Sequence, residues 1–249
     1  MAGAWVVLTA AGSGSRLGAN RPKALVRVGN QTILELALER VLQSKGLAGV
    51  VITCPAGEET RFEEAVRASV EAMPTSADAP KVSVVPGGAS RQGSVLAGLK
   101  EVQLAAGGAL QDSTPVLVHD AARCLTPPGV FDNLIELIEA GAPAVIPVLP
   151  VTDTIVSIDP GVGPAGLVAE ALDRSTLAAV QTPQAFRWDV LFDAHERASE
   201  GAASEATAAT DDATLVRQEG QPVLTTPGSE LAFKVTLPAD LELARSLLG

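Results

Sequence analysis

Aromatic residues are scarce in this chain of 249 residues: they make up 3% of it, and tyrosine is absent. Base-stacking platforms and sugar-binding aromatic grooves need rings, so the composition argues against both. Cations are also few, with 18 Lys and Arg against 29 Asp and Glu and a formal net charge of −11. They form no basic run of the kind that nucleic-acid binding demands, so nucleic acid is not an expected partner. The two histidines, His119 and His195, stand too far apart to build a zinc cluster. Cys54 and Cys124 lie in apolar surroundings (VVITCP and ARCLTP) and read as buried, reduced thiols. No stretch approaches the roughly 20 apolar residues of a membrane span. The first apolar run has no basic residues before it, unlike a secretory leader, and a cytoplasmic protein is expected.

What is present is a core former, 47% hydrophobic and dominated by Ala, Val and Leu. Short β-branched runs at 5–10 and 49–54, a strand then turn at 81–88 and a strand breaking at a polar tip at 115–123 alternate with helical patterns at 31–44, 58–73, 90–105 and 128–142. Residues 143–159 read as a strand whose prolines favour an edge; 187–200, 211–220 and 238–249 read as helices, and 222–228 and 232–237 as strands. Alternation of this kind predicts an α/β fold of Rossmann-like, three-layer αβα form, with a mostly parallel sheet between helices. A single domain spanning 1–249 is expected, interrupted at 150–175 by an arm-like excursion whose hairpin tip is GVGPAG (161–166). Ligands of such sheets bind at the carboxyl ends of strands, so the polar tips there are the places to look.

The first tip is LTAAGSGSRLGANRPKAL (8–25). After Ala10 and Ala11, Gly12, Gly14 and Gly18 let backbone N–H groups approach a ligand with no side chain in the way. Arg16 and Lys23 add the cations that a triphosphate requires. A P-loop is excluded because no Lys follows the second glycine at the required spacing, and a dinucleotide fingerprint because Leu17 replaces its third glycine. The second tip, GGASRQGS (87–94), again places glycines after a strand and opens a helix, offering Gly88, Ala89, Arg91 and Ser94, with Ser90 as a helix N-cap. The third, VHDAARC (118–124), puts Asp120 at a strand end, where a carboxylate reaches a metal or a hydroxyl. Alternation turns His119 to the opposite face, as a packed histidine rather than a general base. Arg123 is either a substrate ligand or a salt-bridge partner. Lys234, in an apolar run, would suffer desolvation unless an anion met it.

The combination A-G-x-G-x-R-x-G followed by P-K resembles the signature of nucleotidyltransferases that activate sugars and polyols. GNQTILE (29–35), GGASRQGSVLAGL (87–99), VLVHDAAR (116–123), VTDTI (151–155), LDRSTL (172–177), QTPQAF (181–186), TDDA (210–213) and FKVTLPADL (233–241) extend the likeness over nearly the whole chain. The chain thereby resembles the 2-C-methyl-D-erythritol 4-phosphate cytidylyltransferase family of the non-mevalonate isoprenoid pathway. The resemblance implies transfer of CMP from CTP to the polyol phosphate, with the 87–94 loop enclosing the cytosine, Mg²⁺ or another divalent cation as the metal, and a homodimer formed through the arm. It implies that Arg174 and Lys234 grip the acceptor's phosphate, and that Arg174 and Thr154 reach into the partner subunit's site. Ala121 and Thr182 join Asp120 and Arg123 at the acceptor end, with Asp120 also a candidate metal ligand. Arg16 and Lys23 are expected to offset charge on the α-phosphate and the leaving pyrophosphate. Where relatives are expected to carry Asp shortly before Lys234, this chain reads GSELAF, and Glu230 is the nearest acid. A ribitol-5-phosphate cytidylyltransferase is the alternative enzyme. A catalytically idle nucleotide-binding module is disfavoured, because Arg16, Lys23, Arg174 and Lys234 are all retained.

Overall fold

The computed structural model describes residues 3–12, 14, 17, 21–73, 76, 79–159, 166–200, 202, 204, 209 and 211–249. Arg16 and Gly18, most of the 161–166 tip, half of the 75–80 loop and most of the 201–210 loop lie outside them.

Strand β1 (Ala4–Thr9) is central. A short hairpin, β2 (Arg27–Val28) and β3 (Gln31–Thr32), leads to helix α1 (Ile33–Leu42), which starts with a Thr32–Glu35 capping box. Then follow β4 (Leu47–Cys54), α2 (Glu59–Glu71), β5 (Lys81–Pro86), α3 (Arg91–Ala106), β6 (Pro115–Asp120) and α4 (Pro128–Glu139). The chain continues through β7 (Ala144–Pro150), β8 (Ile155–Asp159), β9 (Leu167–Leu172), β10 (Ala178–Val180) and β11 (Gln184–Arg187). Helices α5 (Trp188–Arg197) and α6 (Asp212–Gln218), strand β12 (Leu224–Pro227) and helix α7 (Pro238–Leu248) complete it.

The main sheet runs β10-β7-β11-β6-β1-β4-β5, with β12 pairing β7 on its other side. Strands β5, β4, β1 and β6 are parallel; β11 runs antiparallel to β6 and β7. Alternation along β1 divides the core. Val6 and Leu8 join the cluster under α1, α2, α4 and α7, while Trp5 and Val7 join the cluster under α3, α5 and α6. Both faces are therefore covered, which is why the parallel strands read as continuous apolar runs.

Three expectations are corrected. Residues 143–159 form two strands rather than one, separated at 151–154. Nor does β7 lie at an edge, since β10, β11 and β12 all pair with it. Pro147 falls between the segments paired to β11 (144–145) and to β10 (148–150), a gap in the ladder where no N–H is needed. Residues 232–237 form no strand: a 3₁₀ turn at Glu230–Ala232 is followed by extended backbone, tied by Val235 N–H donating to the Ala122 carbonyl at 2.8 Å. The arm does form a hairpin, β8 with β9, as a separate two-stranded sheet. No helix among the described residues is long and apolar enough to cross a membrane. Both cysteines are free and buried, and desolvation pushes each thiol up to about 11.

Candidate active site

Thr9 and Asp120 are register partners at the carboxyl ends of adjacent parallel strands. The loops after β1, β5 and β6 therefore open at one level. Together they enclose a cavity of about 530 Å³. Ala10, Ala11, Gly12, Gly14 and Lys23 line one side, Gly88, Ala89, Arg91 and Ser94 another, and Asp120, Ala121 and Lys234 the floor and far wall. The two glycine loops thus face each other, as their sequences imply, and Arg16 falls outside the described residues.

Two glycines are needed for their lack of a side chain. Gly14 has φ +73°, and a Cβ there would sit 3.1 Å from Lys23 backbone atoms. This close approach, with Lys23 N–H donating to the Gly12 carbonyl at 3.2 Å, brings Lys23 to the cavity. A Cβ on Gly88 would stand 2.6 Å from the Gly93 carbonyl carbon. Ser90 caps α3 by accepting from Gly93 N–H at 3.0 Å, and its hydroxyl also donates to the Ala202 carbonyl. Ser94 accepts from Gly88 N–H at 3.2 Å and donates to the Ser90 carbonyl at 2.9 Å, so its hydroxyl shapes the loop besides lining the cavity.

A second cavity, about 240 Å³, adjoins the first and shares Arg91, Asp120 and Lys234 with it; Arg123, Thr182, Gln184 and Asp211 also line it. Its chemistry turns on Asp120. Lys234 Nζ donates to Oδ2 at 2.8 Å, and Arg91 Nε (3.2 Å) and Thr9 Oγ1 (3.2 Å) donate to Oδ1. Burial opposes the charge, but Arg91 and Lys234 outweigh it and hold the carboxyl well below the usual range. Thr182 supports this geometry from behind, accepting from Asp120 N–H at 3.0 Å.

His119 does face away from Asp120. It is fully enclosed, packs edge-on against Phe131, and places Nδ1 3.0 Å from Thr182 Oγ1. Burial pushes its pKa down to about 3, so it is neutral and serves packing, as alternation implied. Arg123 has no ion pair among the described residues; it donates to the carbonyls of Ala232 (2.7 Å) and Val180 (3.5 Å) and thereby props the segment carrying Lys234. The salt-bridge alternative for Arg123 is not realised among them.

Asp120, the candidate metal ligand, is engaged by donors of the protein itself. Magnesium takes one or two carboxylates plus phosphate oxygens. Among the described residues Asp120 is the only acid lining the larger cavity, and both its oxygens are engaged by Arg91, Thr9 and Lys234. No group of three His, Cys, Asp or Glu side chains gathers among the described residues. The side chains present do not fit a protein-held Mg²⁺. Glu230 is exposed, lines neither cavity, and supplies no such ligand either.

Thr154 and Arg174 also stand apart from both cavities of their own chain. Each is exposed on the arm, where Arg174 donates to the Thr152 carbonyl. Along the same hairpin Ile158, Leu167, Val168 and Leu172 are exposed as well.

Sequence reasoning missed two residues behind the site. Asp212 lies 2.9 Å from Arg91 Nη1 and 3.0 Å from His195 Nε2, and both Asp212 and His195 are buried. The signal was the run TDDA, quoted for its likeness but given no role. Acids beside the buried-helix pattern ATLV need partners.

The sequence model describing 2-C-methyl-D-erythritol 4-phosphate cytidylyltransferase matches residues 4–249. A relative bearing that name from Saccharopolyspora erythraea is 43% identical over 98% of each chain. Another from Rhodococcus jostii is 43% identical over 97% of this chain and 93% of its own. The crystal structure of the protein so named from Thermus thermophilus superposes with a TM-score of 0.71, at 31% identity, over 99% of this chain and 98% of that one.

Proposed function

The chain belongs to the 2-C-methyl-D-erythritol 4-phosphate cytidylyltransferase family, and from that membership we propose how its two cavities perform cytidylyl transfer. CTP occupies the larger cavity, its base held by the 87–94 loop and its phosphates by the backbone of Ala10, Ala11, Gly12 and Gly14 and by Lys23. The phosphate of 2-C-methyl-D-erythritol 4-phosphate occupies the smaller one, against Lys234 and Arg123. The observation that carries this reading is the shared wall: Arg91, Asp120 and Lys234 line both cavities, so two phosphorylated ligands meet there.

An oxygen of the acceptor phosphate attacks the α-phosphorus, the new P–O bond forms, and the bond to the β-phosphate breaks to release pyrophosphate. No general base is required, because the second pKa of a phosphate monoester is about 6 and the nucleophile is already ionised. The obstacle is the approach of two anions, which positioning and fixed positive charge reduce. Lys23 offsets charge on the nucleotide side and Lys234 aims the acceptor. Arg16, from the same loop as Lys23, joins it in this reading. Mg²⁺ would ride on the nucleotide phosphates rather than on side chains.

The arm completes a homodimer in this proposal. Arg174 and Thr154 flank the Ile155–Leu172 end of the β8–β9 hairpin, whose exposed Ile158 and Val168 a second copy would cover, and from there they reach the partner's acceptor cavity. The chain then works as one nucleotidyltransferase domain per protomer.

Pyrophosphate release from CTP, measured in parallel with 2-C-methyl-D-erythritol 4-phosphate and ribitol 5-phosphate, tests the acceptor. Release with the first alone is expected. Release with ribitol 5-phosphate alone would overturn the acceptor and keep the chemistry.

A further inference from the structure

Asp211 and Asp212 open helix α6 in different ways. Asp211 caps it, accepting from Thr214 N–H at 2.9 Å and from Gln184 Nε2 at 3.1 Å. Gln184 Oε1 in turn accepts from Ala213 N–H at 3.1 Å, so β11 fixes the first turn of α6. This places Asp212 beneath Arg91. The carboxylate is 1% exposed and lines neither cavity, yet Oδ2 meets Arg91 Nη1 at 2.9 Å. From the other side His195 Nε2, on α5, lies 3.0 Å from Oδ1. His195 is fully enclosed, and its Nδ1 has no hydrogen-bond partner among the described residues.

The result is a chain of alternating groups: Lys234, Asp120, Arg91, Asp212, His195. Arg91 meets Asp120 through Nε and Asp212 through Nη1. A planar guanidinium engaged at two nitrogens by two carboxylates has its plane fixed, which one carboxylate contacting one nitrogen does not achieve. The charges of Lys234, Asp120, Arg91 and Asp212 cancel, which explains how a carboxylate can be buried this deeply.

We propose that Asp212, gripped by His195, is a positioning residue for cytidylyl transfer: it sets the Arg91 guanidinium against Asp120 and, through Asp120, the Lys234 ammonium. The inference rests on the family reading above. Without the charge at 212, Arg91 would keep Asp120 to itself and draw it from Lys234, and the acceptor end would lose its geometry.

The test is a double-mutant cycle on the full-length enzyme, read as kcat/KM for the acceptor at saturating CTP. Asp212→Asn should lower it about tenfold in the wild-type background, within the range found for coupled groups. In an Arg91→Gln background the same substitution should cost less than about twofold, because the group it acts through is gone. A merely structural Asp212 would give equal losses in both backgrounds, or would lower the melting temperature and leave kcat/KM unchanged; either overturns the proposal. If Asp212→Asn does not fold, His195→Leu replaces it in the same cycle and is judged by the same criteria. An inactive wild-type enzyme would instead refute the family reading itself, and this inference with it.

Discussion

Lys234 Nζ and Asp120 Oδ2 lie 2.8 Å apart although 114 positions separate them in the chain. The pair stands where the two cavities join. Lys234 is 42% exposed at its side chain, so its ammonium remains available to an incoming phosphate.

Lys234→Ala should therefore raise KM for the acceptor by about ten- to a hundredfold, the value of one charge-assisted hydrogen bond. KM for CTP should change by less than about twofold. Steady-state kinetics with each substrate varied in turn checks this. An equal rise for CTP would move Lys234 to the nucleotide end.

The arm proposal predicts complementation between subunits. Arg174→Ala and Lys23→Ala enzymes should each be nearly inactive. Unfolded together in equal amounts and refolded, they should recover about a quarter of wild-type activity, because half the dimers are mixed and each mixed dimer holds one intact site. No recovery would mean that Arg174 serves its own chain.

Gly88→Ala should weaken CTP binding. The added methyl would meet the Gly93 backbone at 2.6 Å, and the loop must shift to admit it. Ligand binding raises melting temperature by mass action. At a fixed CTP concentration the shift should be smaller in the variant, and an unchanged shift would remove the 87–94 loop from the nucleotide site.

Much of this site could be read from the sequence because it depends on local pattern. Trp5-Val6-Val7-Leu8 announces a strand buried on both faces, and Gly14 and Gly88 mark backbone that must come close to something. The Phe233–Val235 run misled for a physical reason: β-branched and aromatic residues satisfy a strand pattern, but the backbone there docks on the Ala122 carbonyl instead of joining a ladder. Prolines 147 and 150 suggested an edge because a ladder normally needs every N–H, and the sequence does not reveal where a strand changes partners. The Asp212–His195 pair was hidden for a related reason: it exists only once α5 and α6 pack together, and no periodicity records that contact.

His119 should make stability depend on pH. Its folded pKa is lowered from 6.5 to about 3 by burial. Above pH 6.5 both states are neutral and the full contribution is present. As pH falls below 6.5 the unfolded chain binds a proton that the folded one refuses, so stability is lost at up to about 1.4 kcal/mol per pH unit until the folded pKa is reached. Asp120 and Asp212, both held below the ordinary carboxylate range, keep their charges through pH 5–6.5 and add no slope there. Urea midpoints measured from pH 7 to 5 should fall in the wild type and fall less in His119→Gln; equal slopes would assign the effect elsewhere.

Everything proposed for the two cavities depends on the acceptor's own phosphate oxygen attacking the α-phosphorus of CTP. Oxygen-18 in the non-bridging positions of 2-C-methyl-D-erythritol 4-phosphate, followed by phosphorus NMR of a completed turnover, reads this out. All label should stay in the diphosphate product, with one labelled oxygen bridging the two phosphorus atoms, and the pyrophosphate should be unlabelled. Label in the pyrophosphate, or a product whose bridging oxygen is unlabelled, would contradict that attack.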